Sequence, residues 1–441
     1  MPAIIGGLVK AGTADLFRVL SAVGLLGACT VLGLVPNLVE APWTFLIAFS
    51  VAFLCYVVGL VVWVRQPGRG AVVAILAVAA TCRLVLLPAA PSLSTDAYRY
   101  VWDARVARAG IDPYAYPPVA RELEPLRDTT VFPRLNHPTW RTIYPPGAQL
   151  FFRLVDAVAP DSIVAMKVGL ALAEVLTLGL LLVLLVTSGL SPARVVIYAW
   201  NPLVLVELWG SAHLDALVLL GVVAAALAVV RGAREIAAIL LGFATLVKVY
   251  PVVFLPLLLG RRSARVLALF ALTVGVGYLP PLLLGWAAVG SLPRYLVEES
   301  FNHGLVRSLI DWPPLALVVL VSFVAWAAAR RGTFGERAVF LIGGSVVLMP
   351  NVFPWYAVWL GPFLALAPSW PWIAFTGTVA YAYAFFLHEP WTIPAWARLV
   401  QGLPLAAGLL AWLVTGRPFA GRAGLIPSFL GRRPRGLPGE G

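Results

Sequence analysis

The side chains best suited to chemistry lie in one polar stretch, residues 94–149, of an otherwise apolar chain. Asp96 opens a segment typical of a helix, with Ser92, Ser94 or Thr95 as the residue that could cap its first turn. A carboxylate at a membrane surface can serve as a general base for a hydroxyl group when burial tunes its pKa. The alternative is a structural aspartate paired with Arg99, one turn further on. The sequence leaves both interpretations open.

A second aspartate and several aromatic residues accompany Asp96. Asp103 follows it by seven residues, so two helical turns place both carboxylates on one face, and a structural role is favoured for Asp103. Prolines exclude a continuous helix over residues 110–118. The tyrosines of that segment, and Tyr144 beyond it, present aromatic faces that suit sugar rings and lipid headgroups alike. Ordinary interfacial aromatic residues are the alternative interpretation.

Cationic and imidazole side chains are expected on the same side of the membrane as Asp96. They are able to stabilise the negative charge of a departing phosphate, arginine through two hydrogen bonds and lysine as a point charge. Lys248 is the sharpest candidate, because an ionisable residue within an apolar hairpin is functional by default. Its alternative role is snorkelling to the interface, and each histidine has a structural alternative. The set comprises His137, Arg141, His213, Lys248, His303 and Arg307.

The rest of the chain must hold these residues in a membrane. Of 441 residues, 61% are apolar and 12% are charged, and apolar runs of about 20 residues recur along the chain. Three cysteines within apolar runs indicate neither a disulfide framework nor a metal site. The net charge of +12 does not indicate nucleic-acid binding, because the arginines flank apolar runs. We therefore expect an all-α integral membrane protein, a polytopic helical bundle of about 12–14 transmembrane helices.

Basic clusters, assigned to the cytoplasm, fix the predicted organisation. Residues 1–90 are expected to form N-terminal transmembrane helices, and residues 91–161 an extracytoplasmic catalytic loop with juxtamembrane helices. Residues 162–415 are expected to form the transmembrane core, with a second outer loop at 286–312. Residues 416–441, rich in Gly, Pro and Arg, are predicted to be a basic, disordered cytoplasmic tail.

Two further patterns concern the apolar runs themselves. Several runs, such as 235–247 and 250–260, are shorter than the ~20 residues of a full span, which favours broken or re-entrant helices. Buried charges also need partners. Glu207 lies inside an apolar run and is expected to pair with His213 or Lys248. Lys167 and Glu174, seven residues apart in one span, are candidates for a structural ion pair.

In the order and spacing of its motifs the chain resembles the GT-C superfamily of membrane glycosyltransferases. Within it, the resemblance is to the actinobacterial mannosyltransferases of glycosyltransferase family 87 and relatives. It covers about residues 80–400 and implies a GT-C-like outer loop, a polyprenyl-phosphate sugar as donor and Asp96 as general base. The stretches that carry it are Asp96–Asp103, Asn136–Pro138, Ile143–Gln149, Trp200–Glu207, Gly210–Asp215, Lys248–Pro251, Phe301–His303 and Pro354–Tyr356.

We therefore expect a multi-pass plasma-membrane glycosyltransferase with its active site on the extracytoplasmic face. It would transfer a sugar, with mannose the expected one, from a polyprenyl-phosphate donor to a lipid or glycan acceptor, with inversion. No cofactor and no metal are expected, because a lipid-phosphate leaving group does not strictly require a metal. The residues expected to bind the donor phosphate or substrate are Arg99, Asp103, His137, Arg141, Tyr144, His213, Lys248 and His303.

Two other classes of protein fit parts of the sequence. A transporter or lipid flippase would also have many spans and proline-broken hairpins, but it predicts inverted repeats and a site at mid-membrane. No repeat is visible, and the polar residues favour one face. A structural or assembly role is the third possibility.

Overall fold

The computed structural model describes residues 11–65, 67–68, 70–260 and 263–415. Within those ranges the chain is helical and contains no strand beyond one isolated bridge between His303 and Asn351. The prediction of an all-α polytopic membrane protein is confirmed. The tail predicted at 416–441 lies outside the described residues.

The first half of the described chain has three helices, a polar segment and then a long helix. The helices are α1 (Ala11–Leu34), α2 (Pro42–Arg65), α3 (Ala71–Leu86), α4 (Asp96–Arg108), α5 (Pro146–Val158) and α6 (Ile163–Thr187), with 3₁₀ turns at Arg121–Leu126 and Phe132–Arg134. A broken segment follows. It comprises a 3₁₀ turn at Pro192–Val195, α7 (Val196–Ala199), α8 (Pro202–Val204) and a π-helical turn at Leu205–Gly210. Two regular helices, α9 (Asp215–Val230) and α10 (Arg234–Val247), complete this half.

The second half alternates long helices with short ones. It comprises a 3₁₀ turn at Tyr250–Phe254, α11 (Leu255–Leu258), α12 (Ser263–Leu283), α13 (Leu292–Glu298), α14 (Leu305–Leu309), α15 (Pro313–Ala328) and α16 (Phe334–Leu348). It ends with a 3₁₀ turn at Pro354–Trp359, α17 (Leu360–Leu366), α18 (Trp370–Thr378), a 3₁₀ turn at Val379–Leu387 and α19 (Ala395–Thr415).

Four of these helices, α1, α2, α6 and α12, are long and apolar enough to cross a membrane. Shorter apolar helices include α3, α9, α15 and most of α19. Each predicted apolar run has a helical counterpart, but several are broken where proline cannot continue a helix, as at Pro202 and Pro251. The number of crossings and the domain boundaries stay predictions.

One predicted ion pair is wrong. Glu174 of α6 pairs with Arg83 of α3, with Nη2 2.6 Å from Oε1, and not with Lys167. Two helical turns separate Lys167 from Glu174 by about 10 Å along the axis, which is too far for direct contact. The Lys167 ammonium donates instead to the carbonyl oxygens of Leu86 and Ala89, at 3.2 and 2.5 Å. These bonds fix the end of α3, from which the chain enters the polar segment.

The far end of α4 is held by a cluster of ion pairs. Arg105 contacts Asp161 and Asp128, at 2.6 and 2.9 Å, while Arg108 contacts Asp156 and Asp161. Partial burial opposes ionisation of Asp128, but the hydrogen bond from Arg105 lowers the pKa of that carboxyl to about 2. The cluster fastens α4 to the loop that follows it and to the end of α5.

Candidate active site

A large cavity opens beside the N-terminus of α4. Its volume is about 1190 Å³. Side chains of the polar segment, of the Lys248 turn, of α13 and of the aromatic residues near 355 and 385 line it together. Asp96, the first residue of α4, lies on its wall.

The Asp96 carboxylate is held by neutral and cationic neighbours and remains 15% exposed. Asn136 donates its amide N–H to Oδ1 over 2.6 Å, and His213 Nδ1 lies 3.7 Å from Oδ2. The Ser94 hydroxyl accepts from the backbone N–H of Asp96, which fixes the start of the helix. Burial alone would raise the pKa of Asp96, but His213, Lys248 and Asn136 together hold it below its usual value. The group is therefore ionised at neutral pH and faces open space.

The alternative pairing of Asp96 with Arg99 is not the one observed. Arg99 Nε donates to Asp103 Oδ1 at 2.9 Å, and its Nη2 donates to the carbonyl oxygen of Trp140 at 3.1 Å. Asp103 also accepts from Thr142 and from Gln149, the latter at 2.9 Å. Asp103 thus anchors the segment 140–149 to α4 and lies behind the cavity wall.

A buried imidazole separates Asp96 from a second carboxylate. His213 Nε2 is 3.1 Å from Glu207 Oε2, and both side chains are fully buried. The Tyr383 hydroxyl is 3.0 and 3.1 Å from the two Glu207 oxygens. Trp355 stacks on the imidazole with ring centroids 4.0 Å apart. The expectation that Glu207 pairs with His213 is confirmed.

Lys248 supplies a cation to the same cavity. It follows α10 in an extended conformation, and its Nζ lies 2.6 Å from Asp215 Oδ2. Trp359 donates its indole N–H to Asp215 Oδ1 at 2.8 Å, so the carboxylate is fixed from two sides. The ammonium also sits 5.4 Å from the centre of the Tyr356 ring.

Contacts between the two polar loops form the rim of the cavity. His137 Nε2 is 3.1 Å from Glu299 Oε2, and the His137 ring stacks on Trp140. The guanidinium of Arg294 also lies over the Trp140 ring, 4.7 Å from its centre. Arg141 lines the same region and is exposed.

One wing of the cavity is apolar. It is formed by side chains of α15 and of the residues around α11: Leu255, Pro256, Leu259, Leu317, Leu320, Val321 and Val324. Val321 is 67% exposed, so this wing is open towards the surroundings of the bundle. The cavity therefore joins a charged chamber at Asp96 to an apolar groove.

The structure brings most of the predicted site residues together. Those that line the cavity are Asp96, Arg99, His137, Arg141, Tyr144 and Lys248. Asp103 and His213 are buried behind the wall. His303 is near Arg307, and the lining residues do not include it. Their roles as a base or as substrate-binding groups stay predictions.

Sequence reasoning proposed no role for several lining residues. Asn136, Tyr250 and Tyr356 lie in stretches that carry the family resemblance, but none of them was predicted as a site residue. Tyr250, Tyr295 and Tyr356 meet across the cavity, with the hydroxyls of Tyr295 and Tyr356 3.1 Å apart and the rings of Tyr250 and Tyr356 5.1 Å apart. Tyrosines near the ends of apolar runs have the signature of interfacial residues, so nothing in the sequence separated them.

In the described part of the chain, no group of three or more His, Cys, Asp or Glu side chains is arranged to hold a metal ion. The expectation of a metal-independent reaction stays a prediction.

Comparison with known proteins adds a family. Residues 20–265 match the family described as alpha-(1->6)-mannopyranosyltransferase, N-terminal domain, over more than half of the chain. The chain belongs to this family. The matched span contains Asp96, Asn136, Glu207, His213 and Lys248, and the resemblance to actinobacterial mannosyltransferases is confirmed.

One curated relative is alpha-(1->6)-mannopyranosyltransferase A of Mycobacterium tuberculosis (strain ATCC 25618 / H37Rv). The two chains are 27% identical over 340 residues, which is 64% of this chain and 63% of that protein. The match therefore spans less than two-thirds of the relative's length. No solved structure matches the chain.

Proposed function

We propose that the protein is an integral-membrane mannosyltransferase that moves mannose from a polyprenyl-phosphate donor to a hydroxyl group of a lipid or glycan acceptor. Membership of the mannopyranosyltransferase family supports the sugar and the reaction class. The observation that carries the mechanism is the position of the Asp96 carboxylate, which lines a large cavity together with Lys248.

The reaction would be a single displacement. The acceptor oxygen attacks the anomeric carbon while the bond from that carbon to the phosphate oxygen breaks. The bonding electron pair leaves with the polyprenyl phosphate, and the acceptor proton passes to Asp96. Attack from the face opposite the phosphate inverts the anomeric configuration. General-base catalysis of this kind contributes about 10²–10⁴-fold in rate.

Two cations are available for the departing phosphate. Lys248 lies within the cavity and Arg141 at its exposed rim. A charge-assisted hydrogen bond from either group stabilises the phosphate most as the bond to the sugar breaks. Tyr295 and Tyr356, whose hydroxyls are 3.1 Å apart, line the cavity and offer aromatic faces and a shared polar edge to a sugar beside them.

The apolar wing suits the hydrocarbon chain of the donor. A polyprenyl chain that comes from the bilayer already lies in hydrocarbon, so it can pack against these aliphatic side chains by van der Waals contact without a desolvation cost. An opening beside α15 gives a lipid-borne donor a lateral route from the membrane. The proposal includes a location in the cell membrane with Asp96 at the extracytoplasmic face, which is the side opposite the basic clusters assigned to the cytoplasm.

The test is a transfer assay with purified protein in liposomes. Radiolabelled polyprenyl-phosphate mannose and a membrane lipid extract are supplied, and products are identified by mass. We expect acceptor-dependent label in a new glycolipid or glycan. A parallel sample with nucleotide-linked mannose should give none. Movement of labelled lipid between leaflets without product would favour the transporter class and end this proposal.

A further inference from the structure

We infer that Glu207 and His213 form a buried positioning pair that keeps the Asp96 carboxylate ionised and directed into the cavity. The inference rests on the proposed function only in naming Asp96 as the base. The pair itself lies behind the cavity wall and touches no substrate.

The geometry is that of an imidazole enclosed between two carboxylates. His213 Nδ1 is 3.7 Å from Asp96 and Nε2 is 3.1 Å from Glu207. Neither His213 nor Glu207 has any exposed surface. Trp355 covers a face of the ring, and Tyr383 donates to Glu207. Glu207 and His213 are therefore enclosed between Tyr383 and Asp96, both of which line the cavity.

The backbone between Glu207 and His213 has a conformation that brings these two side chains together. Glu207 lies in the π-helical turn Leu205–Gly210, a rare feature that recurs at functional sites. Ala212 adopts a left-handed conformation with φ of +58°, which an L residue holds only where its surroundings enforce it. The backbone N–H of His213 donates to the carbonyl oxygen of Glu207 at 3.0 Å. The chain thus folds back so that the two side chains meet.

Charge explains why both members are needed. A buried imidazolium requires a counter-charge, and two carboxylates supply it from opposite sides. Its positive charge stabilises the ionised form of Asp96. Glu207 offsets part of that charge, so Asp96 retains the basicity to accept a proton. Burial opposes protonation of His213, but the Asp96 and Glu207 carboxylates raise its pKa to about 9. Because the imidazole therefore already holds its proton, it positions Asp96 and does not take the proton of the acceptor.

Other groups face Asp96 but do not replace this pair. Lys248 is neutralised by Asp215 at 2.6 Å, and Asn136 is uncharged. The phenols of Tyr100 and Tyr144 are nearby, and burial together with the Asp96 charge raises their pKa values, so they stay neutral. His213, 3.7 Å from the Asp96 carboxylate, is therefore the cation that acts most strongly on it, ahead of Lys248.

The test removes both buried charges together, so that neither is left unpaired. In the double variant Glu207→Gln/His213→Gln, carbodiimide labelling of Asp96 monitors its protonation, because the reagent requires a protonated carboxyl. Peptide mass analysis measures the labelled fraction at each pH. We expect labelling to begin about one pH unit or more above the wild-type value. The acid limb of turnover should move the same way, with kcat lower by about tenfold to a hundredfold and KM for the donor unchanged.

Arg83→Met/Glu174→Gln is the matched control, because it deletes another buried ion pair. Its labelling profile should equal that of the wild type. An unchanged profile in the Glu207/His213 variant overturns the inference. Labelling needs no turnover, so failure of the transferase proposal would be seen separately, in the transfer assay.

A measurement on the wild type covers the case in which the variant does not fold. The chain has four histidines, which ¹³C labelling resolves by NMR. One signal should keep the imidazolium form at pH values where an ordinary histidine is neutral. The same signal should titrate at lower pH in Asp96→Asn. Ordinary titration of all four histidines in the wild type overturns the inference.

Discussion

Asp96 and Asp103 stand two turns apart on the same helix, yet their surroundings differ in kind. Asp103 receives hydrogen bonds from Arg99, Thr142 and Gln149 and has almost no exposed surface. Asp96 has one close hydrogen bond, from Asn136, a cation 3.7 Å away and a side open to the cavity. A carboxylate whose partners are all protein groups holds the structure together, whereas one left partly unpaired is available to a substrate.

The cations near the two aspartates differ in the same way: one is bound directly to Asp103, and the others act on Asp96 from a distance. Arg99, the partner of Asp103, is bound directly to it and to a backbone carbonyl. Among the described residues, no cation makes so close a contact with Asp96, although His213 and Lys248 act on it through space. Charge at a distance keeps the carboxylate ionised without occupying the oxygen that must accept a proton.

The largest expected effect is on turnover. Asp96→Asn should lower kcat for mannosyl transfer by about 10²–10⁴-fold, because the amide cannot accept the proton of the acceptor. Donor binding and thermal stability should stay near wild-type values, since Asn136 can still bond to the side chain. Single-turnover assays with matched protein amounts measure the loss. Normal turnover in this variant would remove the distinction between the two aspartates.

The opposite pattern is expected at the second position. Asp103→Asn leaves Arg99 as a buried charge without its counter-ion, which costs about 3–5 kcal/mol of stability. The folded fraction should retain most of its turnover, because Asp103 does not face the cavity. Denaturation in detergent, followed by tryptophan fluorescence, measures the stability.

A paired variant sharpens this test. Arg99→Met/Asp103→Asn removes both charges, and it should recover part of the stability that the single variant loses. If the single variant were fully stable, the assignment of Asp103 to the architecture would be wrong.

The sequence predicted what depends on local pattern. Helix α6 (Ile163–Thr187) is the span that was predicted to contain both Lys167 and Glu174, and α4 begins at Asp96, where capping residues indicated a start. Contacts between distant segments were not predictable in this way. Seven-residue spacing put Lys167 and Glu174 on one face but could not show that Arg83 packs against it.

The site shows the same limit. Glu207 could be recognised as a buried charge in need of a partner, and spacing offered His213 or Lys248. The π-helical turn Leu205–Gly210 directs Glu207 towards His213, but its sequence is an apolar run that is typical of an ordinary helix. That Asp96 lies beyond the imidazole follows from packing between α4 and the segment before α9, which no local pattern encodes.

Lys248 tests whether the cation near Asp96 serves substrate or structure. In a background that carries Asp215→Asn, so that no buried carboxylate is left unpaired, Lys248→Met should raise KM for the donor about tenfold through the loss of a charge-assisted bond to phosphate. The kcat value should change less. Asp215→Asn alone is the control. An unchanged KM would assign Lys248 to the same structural class as Arg99.

The smallest expected effect is on the stability of the cavity rim. There Glu299 provides a third carboxylate to compare with Asp96 and Asp103. Burial opposes its ionisation, but His137 and two backbone N–H groups lower its pKa. The contact should therefore stabilise the second polar loop above the ordinary carboxyl pKa and be lost as pH falls through the lowered value. His137 is 45% exposed, so the pair contributes less than about 1 kcal/mol.

Hydrogen exchange over residues 291–299, corrected for intrinsic rates, measures this effect. Protection should decline on acidification in the wild type and be weak at every pH in Glu299→Gln. Arg294→Gln, in the helix that ends beside Glu299, is the control. It removes the contact with Trp140 and the exposed ion pair with Glu298 but keeps the Glu299 carboxyl, so it should lower protection without abolishing the pH dependence. Equal protection in wild type and Glu299→Gln would show that the rim does not depend on this carboxylate.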